Sequence, residues 1–375
     1  MKPVCIQINW QRQLGGGEIY TRFFSQALQL LGWEVCLVVD RKADFWGRLG
    51  LEGVRYFPIA HGDEIPHLLK SMASAVVVTH TTLSFGVAQA VAAWHRLGGI
   101  VHMPLADRDT LGLSCYHRIF AVSNYVRETI VACGHANVHA EPLLGVADLK
   151  PRQSSAGHVI RRSEYDYDRR KFRDLLLSWC APLVGMRARQ EFARRPGLTL
   201  GIVSRLTPIK QFPQLFAQLA PVLAAYDKLN LEIFGSGGYA SVRDLRSALV
   251  PLGERVRFWG QQPDPAAIYP LLDYVLSGLP EREALGLNLI EAQASGTPVL
   301  AVAAPPFTET VVDGASGFFY RDPRQDNGAA FGALLRELAA GRPRPDPRQA
   351  SIHLERFSLA AFEARVARAM AALAG

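Results

Sequence analysis

E-A-L-G-L-N-L-I-E-A-Q-A-S-G-T, residues Glu283 to Thr297, sets two carboxylates eight positions apart around a glycine. Eight positions are a little over two turns of α-helix. A helix opening after Gly286 would aim the unpaired N–H groups of Leu287, Asn288 and Leu289 at an anion, with Glu291 further along the same helix. The backbone then suits a phosphate of a nucleotide and Glu291 a ribose diol. Glu283, just before the helix, would meet whatever the phosphate carries. Standing alone, such a pair of glutamates is more often an ordinary amphipathic helix with two solvated carboxylates, so the neighbouring runs have to decide.

Upstream, V-S-R-L-T-P-I-K-Q (Val203 to Gln211) ends a strand, carries Arg205 and Lys210, and leads into a helix. Two cations so placed can clamp a pyrophosphate. L-E-I-F-G-S-G-G (Leu231 to Gly238) is an apolar strand ending in glycines, where backbone must approach something closely. Short apolar strands alternate with helical stretches along the whole chain, which predicts βαβ units and parallel sheets. Strands are expected near 3–9, 34–39, 54–58, 75–79, 99–103, 118–122 and 137–141, with helices near 17–32, 64–72, 84–97 and 124–133. The second half predicts strands near 198–203, 230–234, 255–259, 273–277, 298–302 and 317–320. Its helices are expected near 211–225, 240–250, 265–270, 284–295, 307–312, 326–340 and 358–373.

With T-E-T-V-V-D-G-A-S-G-F (Thr308 to Phe318), these runs resemble the C-terminal half of the retaining nucleotide-sugar glycosyltransferases of glycosyltransferase family 4. Shorter runs continue the likeness through the first half: L-G-G-G-E-I-Y (Leu14 to Tyr20), V-V-V-T-H (Val76 to His80), I-V-H-M-P (Ile100 to Pro104), I-F-A-V-S-N-Y-V-R-E (Ile119 to Glu128) and L-L-G-V-A (Leu143 to Ala147). The resemblance implies the GT-B fold, an α/β architecture of two Rossmann-like domains facing across a cleft, with a C-terminal helix crossing back to the N-terminal domain. It divides the chain into an acceptor-side domain, 1–150, a basic helical insertion, 151–196, a nucleotide-sugar domain, 197–355, and a crossover helix, 356–375.

The resemblance also implies roles. Arg205 and Lys210 would neutralise the diphosphate leaving group in place of a metal ion, and Gly286 and Leu287 would add backbone donors. Glu291 would hold the ribose. Glu283 would orient donor-sugar hydroxyls during same-face attack, without being a nucleophile. Gly15, Gly16 and Gly17 would let backbone approach donor and acceptor, and His102 resembles the family histidine that contacts the donor sugar; His80 is a weaker candidate. Each of these has an ordinary alternative, a plain loop for the glycines and a satisfied polar side chain for the histidines. The chain departs from the family where Ala284 and Leu285 follow Glu283, since Pro or Gly and then Phe is usual there. A differently shaped sugar pocket is expected, and nearby Glu281 is an alternative first carboxylate.

The chain's 375 residues suit two domains, and an apolar content of 49% indicates a globular protein. No apolar run is long enough for a membrane span, and the polar start enters a strand, so a cytoplasmic location is expected. Five cysteines, Cys5, Cys36, Cys115, Cys133 and Cys180, are scattered and odd in number, which speaks against disulfides or a zinc site. D-R-D (Asp107 to Asp109) and D-Y-D (Asp166 to Asp168) sit in polar segments and read as incidental, so neither a metal nor another cofactor is expected.

The formal charge of +7 has one source, because Lys150 to Arg195 holds twelve Lys or Arg and five Asp or Glu, 12 − 5 = +7. Within it, Phe172, Leu175, Leu176 and Trp179 recur at helical spacing beside Arg169, Arg170, Lys171 and Arg173. Such a helix over 161–195 suits an anionic membrane surface, or else packs its apolar stripe on the first domain. Nucleic acid is disfavoured, since the window lacks the glycine and aromatic pattern of RNA-binding modules. The expected activity is sugar transfer from a nucleotide sugar to a glycan or lipid-linked acceptor in cell-envelope polysaccharide synthesis. A nucleotide-sugar epimerase of the same architecture and a non-catalytic nucleotide-sugar-binding subunit are the alternatives.

Overall fold

The computed structural model describes residues 2–12, 14–105, 108–147, 159–166 and 190–375. They fall into two units: Met1–Ala147 with Glu355–Gly375, and Asp148–Leu354. Unit 1 is built on β1 (Val4–Asn9), β2 (Glu34–Asp40), β3 (Arg55–Ile59), β4 (Val76–Thr79), β5 (Arg96–Val101) and β6 (Arg118–Ala121). They pair in parallel in the order β3-β2-β1-β4-β5-β6. Unit 2 uses β7 (Leu198–Val203), β8 (Leu229–Phe234), β9 (Val256–Gly260), β10 (Tyr274–Leu276), β11 (Val299–Val302) and β12 (Gly317–Tyr320). Their parallel order, β12-β11-β10-β7-β8-β9, is the same pattern counted from that unit's own first strand.

The inner strands are almost wholly buried, as parallel strands covered by helices on both faces must be, while the edge strand β3 is largely exposed or half-buried. In unit 1 the covering helices are α1 (Gly16–Leu30), α2 (Ile65–Lys70), α3 (Phe85–Ala92) and α4 (Asn124–Ala132). Unit 2 has α5 (Phe212–Ala224), α6 (Tyr239–Ala248), α7 (Leu287–Ala294), α8 (Phe307–Thr310), α9 (Pro323–Asp326) and α10 (Ala329–Ala339), and α11 (Ser351–Glu355) lies at its end, with Glu355 already in unit 1. The last helix, α12 (Leu359–Ala374), belongs to unit 1, so the chain does cross back. There Phe362 meets Tyr20 edge-on with ring centroids 5.3 Å apart, and Arg368 grips Glu141 with bonds of 2.7 and 2.8 Å.

In each sheet the order reverses beside the first strand, between β1 and β4 and between β7 and β10. Ligands bind open α/β sheets at that switch point, beyond the C-terminal strand ends.

Several expected elements differ. The strand near 137–141 is reduced to a one-residue bridge between Ile119 and Val138. The helix near 84–97 stops at Ala92, because Arg96 already pairs with Val76 as part of β5. The helix near 265–270 is two short 3-10 turns, Pro265–Ala267 and Tyr269–Leu271, each with a proline in its first turn. One helix near 326–340 becomes α9 and α10, broken at Asn327 and Gly328, whose φ values of 52° and 77° are left-handed. The basic amphipathic helix, with Arg169, Arg170, Lys171, Phe172, Arg173, Leu175, Leu176 and Trp179, lies outside the described residues. Its flanks run antiparallel: Arg161 N–H donates to Gln190 O and Phe192 N–H to Val159 O, both at 2.9 Å.

Candidate active site

In unit 2 the glycine run after β8 approaches the loop that carries Arg205. A side chain at Gly235, whose φ is 151°, would collide with Ser204 O at 1.8 Å, and one at Gly237 with Leu206 O at 2.0 Å. Leu206 N–H donates to Ser236 O at 2.7 Å and laces the two loops together. Arg205 itself is exposed and has no ion-pair partner among the described residues. Five residues on, a single 3-10 turn ends at Lys210 and Gln211 takes a left-handed φ of 52° before α5 begins.

That turn sets Lys210 against the segment following β10. A side chain at Gly278 would meet Lys210 O at 2.4 Å, and Leu279 N–H donates to the same carbonyl at 3.4 Å. The segment carries Glu283, whose carboxylate forms a short ion pair with the Lys210 ammonium. Their side chains are 21% and 14% exposed, so the pair is partly shielded from water yet reachable. The other Glu283 oxygen accepts from Ala284 N–H at 3.2 Å.

Gly286 caps α7 with a left-handed φ of 81°, a conformation costly for any residue with a Cβ. Of the three N–H groups expected to be free, that of Leu289 donates to Gly286 O at 2.9 Å. Leu287 and Asn288 have no backbone acceptor among the described residues. Glu291, just over one turn along, accepts from the Tyr269 hydroxyl at 2.8 Å. Burial pushes its carboxyl up, while the Tyr269 hydrogen bond and the Lys210 charge oppose the shift. Tyr269 was not foreseen, since a buried tyrosine in an irregular segment leaves no spacing signal.

In unit 1, Gly15 precedes α1, which opens at Gly16. The first-turn N–H groups of Gly16 and Gly17 have no backbone acceptor among the described residues, and a Cβ on Gly17 would meet nothing within 4 Å. His80 follows β4 and His102 follows β5, adjacent strands, so the two imidazoles meet with His80 Nδ1 3.1 Å from His102 Nε2. The edge of Tyr20 packs on His102 with ring centroids 4.9 Å apart. Burial holds both histidines neutral at pH 7: it lowers His102 to about 4 and His80 well below its usual value, and a second cause for His80 is that its charged form would be repelled by a charged His102.

Glu281 pairs with Arg324, away from Lys210's carboxylate partner. Of the two D-x-D runs, Asp107 and Asp168 lie outside the described residues, while Asp109 accepts from Leu111 N–H at 3.0 Å and Asp166 is exposed. Among the described residues no three His, Cys, Asp or Glu gather as a metal-binding group. Two cations of the basic window serve unit 2 directly: Arg194 holds Asp273, and Arg195 joins Arg257 and Trp259 around the buried Glu232.

Residues 188–344 match the family described as "Glycosyl transferases group 1", and this part of the chain is a group 1 glycosyltransferase domain. The chain is 35% identical over 160 residues to "D-inositol 3-phosphate glycosyltransferase" of Nocardia farcinica, which covers 40% of this chain and 35% of that protein. It is 32% identical over 130 residues to "Phosphatidyl-myo-inositol mannosyltransferase" of Mycobacterium leprae, 34% of this chain and 33% of that one. The matches thus span about a third of these curated relatives. Among solved structures, Anabaena Alr3699/HepE in complex with UDP and glucose has a TM-score of 0.73 at 16% identity over 98% of this chain and 99% of that one. Sucrose-phosphate synthase from Thermosynechococcus elongatus has a TM-score of 0.68 at 16% identity over 99% of each chain. These likenesses agree with a GT-B arrangement of two Rossmann-like domains.

Proposed function

We propose that this chain, which carries a group 1 glycosyltransferase domain, transfers a hexosyl unit from a nucleotide sugar to a glycan or lipid-linked acceptor, with retained configuration and without a metal ion. The observation that carries the reading is the Lys210–Glu283 pair held before the Gly286-opened helix that bears Glu291. An ammonium has three N–H donors; one is spent on Glu283, and two remain for a diphosphate. Arg205 and the N–H groups of Leu287 and Asn288 supply further countercharge, and Glu291 takes the ribose.

In the reaction the bond from the sugar's anomeric carbon to phosphate breaks and the nucleoside diphosphate leaves. The acceptor hydroxyl attacks from the same face, and its proton passes to the departing phosphate oxygen. Lys210 and Arg205 stabilise the charge that develops there, while Glu283 orients the sugar hydroxyls. Unit 1 contributes His102 and the backbone of Gly16 and Gly17 to substrate binding.

Two relatives are named for lipids, phosphatidyl-myo-inositol and, in the 29% identical "Alpha-monoglucosyldiacylglycerol synthase" of Streptococcus pneumoniae, a glucosylated diacylglycerol. Together with the basic 161–195 segment they support an acceptor at the cytoplasmic face of the cell membrane, in envelope polysaccharide or glycolipid synthesis. Among the described residues no helix is long and apolar enough to cross a membrane.

The test is a thermal-shift panel of nucleoside diphosphates and their sugars, with and without EDTA, followed by product analysis. A ligand that binds only the folded state raises its melting temperature. Stabilisation that survives EDTA, with sugar transfer to an acceptor, is the expected result. Binding abolished by EDTA and restored by Mg²⁺ overturns metal independence, and an epimerised donor overturns transfer.

A further inference from the structure

Unit 1 buries a line of polar side chains at its switch point. Gln7 and Asn9, two apart on β1, share a sheet face. Thr21 and Ser25, four apart on α1, share a helix face. Asn9 Nδ2 donates to Thr21 Oγ1 at 2.9 Å, and that hydroxyl donates to Gly17 O at 2.9 Å. In the same way Gln7 Nε2 donates to Ser25 Oγ at 2.7 Å, and Ser25 donates to Thr21 O at 2.8 Å.

A hydroxyl has a single proton. Because each is spent on the carbonyl four residues back, each hydroxyl must accept from its amide, and both amides turn their oxygens away from the helix. Asn9 Oδ1 then accepts from Gln11 N–H at 3.1 Å. Gln7 Oε1 instead faces His80 Nε2 at 2.8 Å. Turning the whole line around would strip Ser25 of its bond to Thr21 O, so the helix carbonyl sets the direction.

The rest follows by elimination. A carbonyl oxygen only accepts, so His80 carries its proton on Nε2. As a neutral ring it has a bare Nδ1, which accepts from His102 Nε2 at 3.1 Å. His102 is therefore protonated on Nε2, and its Nδ1 is bare. We propose that the line Ser25–Gln7–His80 is a positioning relay that fixes His102 as a hydrogen-bond acceptor at Nδ1, selecting a hydroxyl of the bound sugar as its partner. This rests on the glycosyltransferase reading of His102. Gln7 and His80 touch no substrate in it; they act through His102.

The experiment is two-bond ¹H–¹⁵N correlation NMR of the full chain with ¹⁵N-histidine at neutral pH, the signals assigned with His80→Gln and His102→Gln. Both rings should appear neutral, protonated on Nε2 and bare on Nδ1. A protonated Nδ1 on His102 overturns the proposal. Gln7→Met keeps the volume and removes the acceptor. It should give His102 a population protonated on Nδ1 and lower kcat for sugar transfer by about tenfold, with nucleoside diphosphate affinity unchanged. An unaltered tautomer, or unaltered turnover, in that variant overturns the relay. Should Gln7→Met fail to fold, Ser25→Ala frees the amide to turn over, and an unchanged His102 spectrum there is equally fatal. A wild type that transfers no sugar defeats the functional reading, and the spectrum still decides the relay.

Discussion

Unit 1 and unit 2 repeat one strand order and place unlike chemistry where that order reverses. Beyond β1 and β4, unit 1 packs amides and two imidazoles that burial keeps neutral. Beyond β7 and β10, unit 2 holds an ammonium and a carboxylate, paired with each other and both partly exposed. The strand order fixes where a site forms, and the side chains decide what it binds. Neutral donors and acceptors suit sugar hydroxyls, while fixed cations and free N–H groups suit a diphosphate.

The largest expected effect breaks this contrast on the charged side. Lys210→Ala should lower kcat/KM by about 2–5 kcal/mol, since it removes a shielded phosphate partner and strands Glu283. Arg205→Lys, which keeps its charge, should cost less. Steady-state kinetics of Lys210→Ala, Glu283→Ala and the double variant form a cycle. Additive losses would mean that the pair does not act as a unit.

Next in size, Glu291→Ala should weaken free nucleoside diphosphate by about 1–3 kcal/mol, by loss of a charged hydrogen-bond acceptor. Glu283→Ala should leave that affinity nearly intact and reduce turnover. Calorimetric titration separates the two, and the reverse pattern would exchange the roles of the carboxylates.

Much of the charged side was legible in the sequence. Gly286, Glu291 and Lys210 lie at spacings set by local helix and turn geometry, which a linear pattern carries. The Lys210–Glu283 contact depends on β7 and β10 being neighbours although α5, β8, α6 and β9 lie between them in sequence, and no local spacing reports that. Gln7 was less legible still, because a polar residue on a buried strand face looks like a solvent-facing position. The parallel sheets were readable from apolar runs, but the 137–141 run, only partly buried and beyond the sheet's edge strand, forms a single bridge instead of a strand.

A smaller effect tests the neutral side through pH. The folded His102 is lowered from its ordinary 6.5 to about 4, so the unfolded chain binds more protons between those values. Stability should therefore be complete above pH 6.5 and fall as pH drops toward 4. Melting temperatures of His102→Gln across that range should decline less steeply than those of the wild type. Parallel curves would remove His102 from the neutral pair.

The smallest effect compares the glycines that open α7 and α1. Gly286 is left-handed, and a Cβ there would also press Phe307 at 3.3 Å, so Gly286→Ala should cost about 1–2 kcal/mol of stability. Gly17 lies inside α1 with open space around a Cβ, so Gly17→Ala should stabilise by about 0.4–1 kcal/mol, through a less flexible unfolded chain. If Gly17 is glycine so that a substrate can approach its backbone, that gain in melting temperature comes with a loss of turnover, because the new methyl group occupies the substrate's space. Thermal melts and kinetics on the same preparation check both. A Gly17→Ala protein that is more stable and fully active would leave the α1 opening a structural turn and confine backbone recognition to Gly286 and α7.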